Sequence, residues 1–466
     1  MPTITAPAVR MSGPDEFLSK EECRALYAQI VKLTSGGGET MVVVQSTQIG
    51  SAKWARNRVH MAVGAHHVFL EIVRTIRGAR GIAQTFRTDE VGLREAIGSA
   101  ETMLKLSDED PEQIADPFIE EPILHPTLWS DATHAFDADA RVSLVNELIA
   151  PAEAAGVLSS GDLNINTVGN AVMGSDGLFR YYPYTTVECS MTVRDQKGTA
   201  SGWAGVNHYA LERIEPKTLA ARALDKCERS TKPQALEPGR YTAILEPQAV
   251  SDLFSTIIDT SMWRPRAELP AGPFGGRVRG RTKINEQVLD RRLIFRSDPM
   301  DPDGAFLPYD WDGIPFRPVN WIDQGILREL AYRKDYALGR LNLDKALLPP
   351  SSYRLASLPG VPTSTVDEMI AKTERGIVVT RFHGVRIIDG DSMLCSGYTR
   401  DGLWLVEHGK ITHAVKNFLF TESPMFVLNK VLDIGVPQRV FAPDTARVVP
   451  AIRVDDFNFT SLSDAV

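Results

Sequence analysis

The stretch GRYTAILEPQAVSDLFSTIIDT, residues 239–260, joins a β-strand pattern to a helix pattern. Residues 241–245 form a short apolar run, and Pro247 suits the first turn of a helix, where a missing N–H costs nothing. After this proline, apolar side chains recur at i, i+3, i+4, i+7 and i+8, namely at Val250, Leu253, Phe254, Ile257 and Ile258. The stretch therefore predicts a strand that leads directly into an amphipathic helix.

The composition is that of a globular protein with two or three domains. The chain has 466 residues, of which 43% are hydrophobic and 24% charged, and its formal net charge is −8. A nucleic-acid-binding protein usually has a basic domain or stripe, so we expect no nucleic-acid partner. A short basic group is interpreted as a solvated loop or strand edge; it consists of Arg277, Arg279, Arg281 and Lys283.

We expect a cytoplasmic protein that has no contact with a membrane. The N-terminal residues lack the apolar segment of a secretory signal, and no apolar run approaches the roughly 20 residues that span a bilayer. The four cysteines are far apart and form no C-x-x-C motif, which favours a reducing compartment; they are Cys23, Cys189, Cys227 and Cys395.

The order of apolar runs, glycines and prolines predicts an α+β protein in three parts. We expect an N-terminal α/β domain over 1–110, a central α/β domain with antiparallel hairpins over 111–235, and a β-rich C-terminal domain with packed helices over 236–466. Further predictions are a helix over 88–106 capped by Thr88, turns at 175–177, 195–198, 400–402 and 408–410, and a helix over 421–434.

A search for metal-site motifs identifies none. The helix of a zinc protease needs two histidines on adjacent turns with a glutamate beside them, and neither H-E-x-x-H nor H-E-x-x-x-H occurs. His408 and His413, beside Glu407, are the best remaining pair, but positions five apart in a strand lie on opposite faces. Cys395 lies in a turn-rich stretch and is interpreted as a buried structural thiol.

Other catalytic patterns are also lacking. There is no G-x-S-x-G. Asp195, His208 and Ser190 are the residue types of a catalytic triad, but any chain of this length contains such a set. The glycine-rich residues 272–280 lack the phosphate-loop pattern, and the acidic residues 298–304 do not have EF-hand spacing.

Four passages, in this order, resemble the TldD/TldE (PmbA) family, whose members were once called modulators of DNA gyrase. The first is SAKWARNRVHMA (51–62), which resembles the N-terminal element of the family. The second, EPGRYTAILEPQAVSDLF (237–254), is similar to the start of its C-terminal domain. The other two are the block at 297–341, with YDWDG in the place of FDDEG, and the stretch at 396–431, which resembles the terminal hairpin and helix.

This resemblance implies that the family contains two kinds of chain with different roles. TldD-type chains carry H-E-x-x-x-H on the C-terminal helix, with a later cysteine completing the metal site, whereas TldE-type chains lack the motif. The two kinds pair as a heterodimeric cytoplasmic zinc metalloprotease that degrades or trims small or unfolded peptides. Residues 247–260 contain neither His nor Glu, so this chain resembles the TldE/PmbA-type subunit.

The resemblance therefore implies a non-catalytic subunit that shapes the chamber and binds the peptide. We expect zinc in a TldD-like partner that carries H-E-x-x-x-H, and we assign no catalytic, cofactor-binding or metal-ligating residue to this chain. Two alternatives stay open. One is a stand-alone hydrolase with a site around Cys395, His383 or the His408/His413 pair, and the other is a homodimeric binding or assembly protein without proteolytic activity.

Overall fold

The computed structural model describes residues 17–109, 124, 126–269, 272–443 and 445–463. Its helices include α1 (Lys20–Leu33), α2 (Glu90–Leu106), α3 (Asp131–His134), α4 (Ala138–Ala154), α5 (Pro216–Arg229), α6 (Pro247–Ser261), α7 (Arg264–Ala267), α8 (Lys334–Tyr336), α9 (Val366–Ala371) and α10 (Pro424–Val427). A 3₁₀ turn (Leu211–Arg213) and a π turn (Ala337–Leu341) complete the helical segments of the described ranges.

Within the described ranges the strands form three sheets, so the predicted α+β class is confirmed. The first sheet contains β1 (Glu39–Ala55), β2 (Arg58–Ile76), β3 (Ala79–Thr85), β4 (Leu158–Gly174), β5 (Phe179–Arg194) and β6 (Ser201–His208). The other strands are β7 (Gly239–Leu245), β8 (Leu293–Ser297), β9 (Val319–Asp323), β10 (Ile326–Leu327), β11 (Tyr353–Ser357), β12 (Arg375–Asp389), β13 (Leu394–Glu407), β14 (Lys410–Ala414), β15 (Phe418–Glu422), β16 (Val431–Ile434), β17 (Gln438–Val440), β18 (Arg447–Val449) and β19 (Ile452–Leu462).

The first sheet is antiparallel throughout, in the order β3-β2-β1-β4-β5-β6. Strand β1 pairs with β4 from Met41–Gly174 to Ala55–Ser160, so strands from both sides of the predicted boundary at residue 110 belong to one sheet. The sequence does not reveal this pairing because its partners lie more than 100 residues apart.

Helices cover one face of this sheet, and alternate residues of β1 point towards them. Val42 and Val44 join a core with α1 and α2, whereas Ala52 and Trp54 join a second core with α4 and α5. The predicted turns at 175–177 and 195–198 connect β4 to β5 and β5 to β6. Helix α2 is capped by Asp89 rather than by the predicted Thr88, because the Asp89 carboxylate accepts a bond from the Gly92 N–H.

The C-terminal half contains a closed ring of strands. Its order is β12-β7-β19-β15-β13, and β13 pairs again with β12 and closes the ring. A second sheet, in the order β10-β9-β8-β11-β18-β17, lies beside it. Helix α6 packs between them, directly after β7, so the strand–helix unit predicted from residues 239–260 is present in the structure.

The helix predicted over 421–434 is wrong. This segment instead forms the end of β15, the short helix α10 and then β16. Thr421 and Glu422 pair with β13, and Val431 and Ile434 pair with β19, so pairing with distant strands outweighs the helical pattern of the segment.

The turn predicted at 400–402 is a bulge inside the continuous strand β13, with Asp401 at a φ of +57°. The turn predicted at 408–410 joins β13 to β14. Among the helices of the described ranges, none has the length and apolar character needed to cross a bilayer.

Candidate functional site

Helix α6 separates an apolar side from a polar side. The apolar side is buried in the C-terminal core, where the Phe254 ring meets Phe295 and Tyr353 edge-on at centroid distances of 5.2 and 5.7 Å. The polar side carries Gln248, Ser251, Asp252, Ser255, Thr256 and Asp259. This separation follows from the apolar period of the helix and places a row of polar groups beside β12 and β18.

Asp252 is held at both carboxylate oxygens. Oδ1 accepts a hydrogen bond of 2.8 Å from Gln248 Nε2, and Oδ2 accepts one of 2.9 Å from the main-chain N–H of Phe382 in β12. Gln248 also pairs in both directions with the main chain of Phe441, because its Nε2 donates to the carbonyl and its Oε1 accepts from the N–H, each at 3.1 Å. The two side chains therefore join α6 to β12 and to the segment after β17.

The surroundings of Asp252 change its acidity. Burial raises the pKa of Asp252 to about 6, although the hydrogen bonds from Gln248 and Phe382 and the charges of Arg381 and Arg447 act in the opposite direction. The Asp252 side chain is half-buried. An acid in this position favours its neutral form more than an exposed aspartate does.

Three further polar groups lie along the same side of α6. The Ser251 and Tyr353 hydroxyls are buried next to each other, and the buried Arg447 Nε has no hydrogen-bond partner in the described part of the chain. The Arg447 guanidinium lies 5.8 Å from the centre of the Tyr353 ring, and burial raises the pKa of Tyr353 to about 12. This group therefore provides a positive charge and two neutral hydroxyls, and no general base at neutral pH.

Cys395 lies beside the middle of α6. Its Sγ is 3.6 Å from the Thr256 hydroxyl and 3.3 Å from the Met393 carbonyl, and the residue has no exposed surface. Burial raises the pKa of the Cys395 thiol, although the hydrogen bond to Thr256 opposes this. The protonated, enclosed thiol agrees with the structural role predicted from the sequence.

The structure does not bring the candidate histidines together. His408 lies at the β13–β14 turn, where Nδ1 is 2.5 Å from the exposed Glu374 carboxylate, and His413 lies in β14. His383 lies on β12 eight residues from Arg375, which pairs with Glu407 beside the turn. Eight residues of strand span roughly 26 Å, so His383 cannot share a site with His408.

The structure also does not group Asp195, His208 and Ser190 as a catalytic triad. The Ser190 hydroxyl donates to Asp162 at 2.8 Å, whereas Asp195 accepts from Thr199 in the β5–β6 turn. His208 pairs with Val187 in the middle of β5, eight residues before Asp195, and burial lowers the pKa of His208 to about 4. These side chains stabilise local structure and form no nucleophile–base pair.

Two carboxylates of the acidic loop at 298–304 pair with an arginine. Arg354 makes two bonds of 2.6 Å to the carboxylate of Asp301 and a third of 2.9 Å to Asp303. In the basic loop at 277–283, Lys283 Nζ donates to the Pro273 carbonyl at 2.8 Å. Contacts within the chain therefore engage the carboxylates of Asp301 and Asp303 and the ammonium group of Lys283.

A zinc ion of the protease kind does not fit the donors around α6. Such a site needs three protein ligands and an adjacent general base. Within the ranges described, no three His, Cys, Asp or Glu residues are grouped so as to hold a metal ion. Asp252 already accepts two N–H bonds, and the Cys395 thiol is directed at Thr256 and Met393.

Sequence reasoning did not identify Asp252 as a central residue. The i, i+4 spacing of Gln248 and Asp252 on the polar side of a helix was the available signal. The partner Phe382 lies 130 residues further along the chain, and the sequence gives no indication of this contact.

Comparison with known proteins identifies the family. Residues 238–461 match the model of the PmbA/TldA metallopeptidase C-terminal domain. No curated protein sequence matches the chain.

Several solved structures share the fold over almost the whole chain. A candidate modulator of DNA gyrase from Thermotoga maritima has a TM-score of 0.79 at 16% identity and covers 95% of this chain and 100% of its own. A candidate modulator of DNA gyrase from Bacteroides thetaiotaomicron has a TM-score of 0.77 at 18% identity, covering 94% and 98%. TldE from Thermococcus kodakarensis has a TM-score of 0.75 at 16% identity, covering 94% and 99%.

The match over residues 238–461 defines the C-terminal half as a PmbA/TldA metallopeptidase C-terminal domain, and the resemblance seen in the sequence is confirmed there. The solved structures show that the fold is shared over almost the whole chain. The comparisons do not distinguish the TldD type from the TldE type.

Proposed function

We propose that this chain is the non-catalytic, TldE/PmbA-like subunit of a heterodimeric cytoplasmic zinc metalloprotease that acts on small or unfolded peptides. The observation that carries this proposal is the polar side of α6. It has no His or Glu, and its central carboxylate, Asp252, is fixed by Gln248 and by the N–H of Phe382.

The chemistry of this side chain supports the proposal. A general base in a metalloprotease must direct a free lone pair at a metal-bound water. Both oxygens of Asp252 instead accept hydrogen bonds within the chain: Oδ1 accepts from Gln248 on the same helix, and Oδ2 accepts from the Phe382 N–H, which joins α6 to β12. The position therefore serves to hold the helix, and the hydrolytic centre is assigned to the partner.

The part of β12 beyond its pairing with β7 and beyond the Phe382 contact supports a role in binding peptides. Beyond Val379, β12 pairs with β13 on one side, whereas its pairing with β7 ends. His383, Arg386, Ile388 and Asp389 lie exposed in this part of the strand. An extended peptide can add to such an edge through main-chain hydrogen bonds, which gives affinity with little sequence specificity.

The proposed partner is a TldD-like chain that carries H-E-x-x-x-H and holds the zinc. The test is to express this chain with a tag in its native host, identify proteins that co-purify, and measure zinc in the complex and in the chain alone. We expect a stoichiometric partner with the motif, and zinc only in the complex.

Two results of this experiment contradict the proposal. Stoichiometric zinc in the isolated chain would mean that its own residues form a metal site. A homodimer that recruits no H-E-x-x-x-H partner would instead favour a binding or assembly protein.

A further inference from the structure

A second candidate site lies in the N-terminal unit, far from α6 in the sequence. A pocket of about 490 Å³ opens on the helix-covered face of the first sheet, between β1, β2 and β4 and the segment from α3 to the start of α4. Strand register places two rows of residues across its floor. One row is Thr167, Gln48 and His66, and the next is Ile165, Gly50 and Gly64.

Arg141 of α4 lines this pocket although it is only 6% exposed. Its Nη1 donates to the Phe136 carbonyl at 2.9 Å, and its Nη2 lies 3.4 Å from the Val63 carbonyl. In the described part of the chain, Arg141 Nε has no hydrogen-bond partner. Such a desolvated cation, bound only to neutral carbonyls, favours an anionic ligand.

Gly50 makes room for this guanidinium. A Cβ at position 50 would lie 2.5 Å from Arg141 Nη1 and 2.7 Å from its Cζ, which is closer than real Cβ atoms approach other heavy atoms. The arginine therefore lies directly over the main chain of β1, where any side chain would displace it.

The nearest acid on α4 does not pair with this arginine. Asp137 caps the helix, and its Oδ1 accepts a bond of 2.8 Å from the Ala140 N–H. Burial lowers the pKa of Arg141, and the charge of Asp137 opposes this. In the described ranges no carboxylate lies within ion-pair distance of Arg141, so the cation lacks the direct partner that Asp301 gives to Arg354.

Gln48 provides a complementary group. Its Oε1 is buried and has no donor among the residues described, so the pocket contains an unused acceptor as well as an unused donor. The other polar groups are already engaged, since His134 Nδ1 lies 3.1 Å from the Thr167 hydroxyl and His66 Nε2 lies 3.0 Å from the Ser46 hydroxyl.

We propose that this pocket binds an α-carboxylate together with the N–H on the same carbon, which is the chemistry shared by a free amino acid and the C-terminal residue of a peptide. The carboxylate pairs with Arg141, and the N–H donates to Gln48 Oε1. The Arg141 guanidinium lies over Gly50, and Gly50 and Gln48 are two residues apart on one face of β1, a backbone spacing of roughly 7 Å. An α-carboxylate and its neighbouring N–H span this distance with a hydrogen bond at each end.

The same geometry disfavours inorganic phosphate, because phosphate lacks the carbon-bound N–H that donates to Gln48 Oε1 while the carboxylate pairs with Arg141. This inference is independent of the proposed subunit role, since the pocket contains no residue of α6 and needs no partner chain.

Isothermal titration of the purified chain tests the proposal with four probes: alanine, trialanine, trialanine with a C-terminal amide, and inorganic phosphate. We expect alanine or trialanine to bind, and the amide and phosphate to bind at least about 10-fold more weakly, because the amide loses the charge-assisted bond and phosphate lacks the N–H that donates to Gln48. Binding of alanine identifies a free amino acid as the ligand, whereas binding of trialanine alone identifies a peptide end.

Two variants locate the site. Gly50→Ala displaces Arg141 and should weaken binding at least about 10-fold, whereas Gly98→Ala, at a position on α2 with open space around it, should leave binding unchanged. Gln48→Met removes the acceptor without changing the backbone and gives a second test if Gly50→Ala does not fold. Equal binding of acid and amide, tighter binding of phosphate, no binding of any probe, or unchanged binding in folded pocket variants would overturn the proposal.

Discussion

The carboxylate of Asp252 on α6 accepts a hydrogen bond of 2.9 Å from the main-chain N–H of Phe382, where β12 has passed its pairing with β7. The side chain thus takes the place of a neighbouring strand at this N–H. The contact joins two parts of the C-terminal half that lie 130 residues apart.

Replacing Asp252 should destabilise the fold. Asp252→Ala leaves the N–H of Phe382 without its acceptor, and we expect a loss of about 1–3 kcal/mol in the free energy of unfolding. Urea denaturation measures this loss. Asp225→Asn, on the exposed side of α5, is the matched control and should change stability by less than about 0.5 kcal/mol.

The acidity of Asp252 gives this effect a pH dependence. Its folded-state pKa of about 6 lies above the ordinary value, so the carboxyl favours folding most at low pH, where both states are protonated. The unfolded chain ionises first as the pH rises, so the stability advantage of the wild type over Asp252→Asn should fall by about 2 kcal/mol between pH 4 and pH 6. If the stability advantage of the wild type over Asp252→Asn instead grows between pH 4 and pH 6, the raised pKa of Asp252 is contradicted.

Asp301 should behave in the opposite way. Burial alone would raise its pKa, but the hydrogen bonds and charge of Arg354 hold the pKa of Asp301 below its ordinary value. Its contribution is therefore present at neutral pH and is lost as the pH falls through the folded-state pKa. We expect Asp301→Asn to cost about 2–3 kcal/mol at pH 7, and the difference from the wild type to disappear in acid-denaturation curves.

Asn207 of β6 should couple the two halves of the chain. Its amide donates to the carbonyls of Ala442 and Thr445 at 2.9 Å and accepts from the Ala442 N–H at 3.0 Å. Asn207→Ala leaves these buried groups unpaired, and we expect a loss of about 2–3 kcal/mol in urea denaturation. Asn320→Ala, at an exposed position of β9, should have little effect; equal losses would show that the contact is not specific.

The cysteines should resist modification in the folded protein. Cys23, Cys189, Cys227 and Cys395 are all buried, and burial raises the pKa of each thiol. Titration with a thiol reagent should label none of the four in native buffer and all four in urea. Rapid labelling of Cys395 in native buffer would instead support the stand-alone hydrolase.

The sequence predicts local units better than it predicts contacts between them. The unit β7–α6 is evident from Pro247 and the apolar period that follows it, because both signals lie within 22 residues. The pattern of the segment 421–434 also predicts a helix, yet its first residues pair with β13 and its last residues pair with β19. Local pattern fails where burial against a distant strand decides the structure.

The same limit applies to the sites. The lack of His and Glu in 247–260 is visible in the sequence, but the hydrogen bond that fixes Asp252 is not. The pocket at Arg141 depends on the register of three strands and on a glycine that makes room for the guanidinium. A single isolated arginine in a helical pattern gives no indication of this arrangement.

Reconstituted peptidase activity tests the central proposal most directly. The purified chain is mixed with its H-E-x-x-x-H partner, and hydrolysis of an unstructured peptide is followed for the pair and for each chain alone. We predict activity only in the pair, lost when the motif glutamate of the partner is changed to Gln and retained when this chain carries Asp259→Asn or Cys395→Ala. Hydrolysis by this chain alone that is lost in either of those two variants would contradict the non-catalytic role.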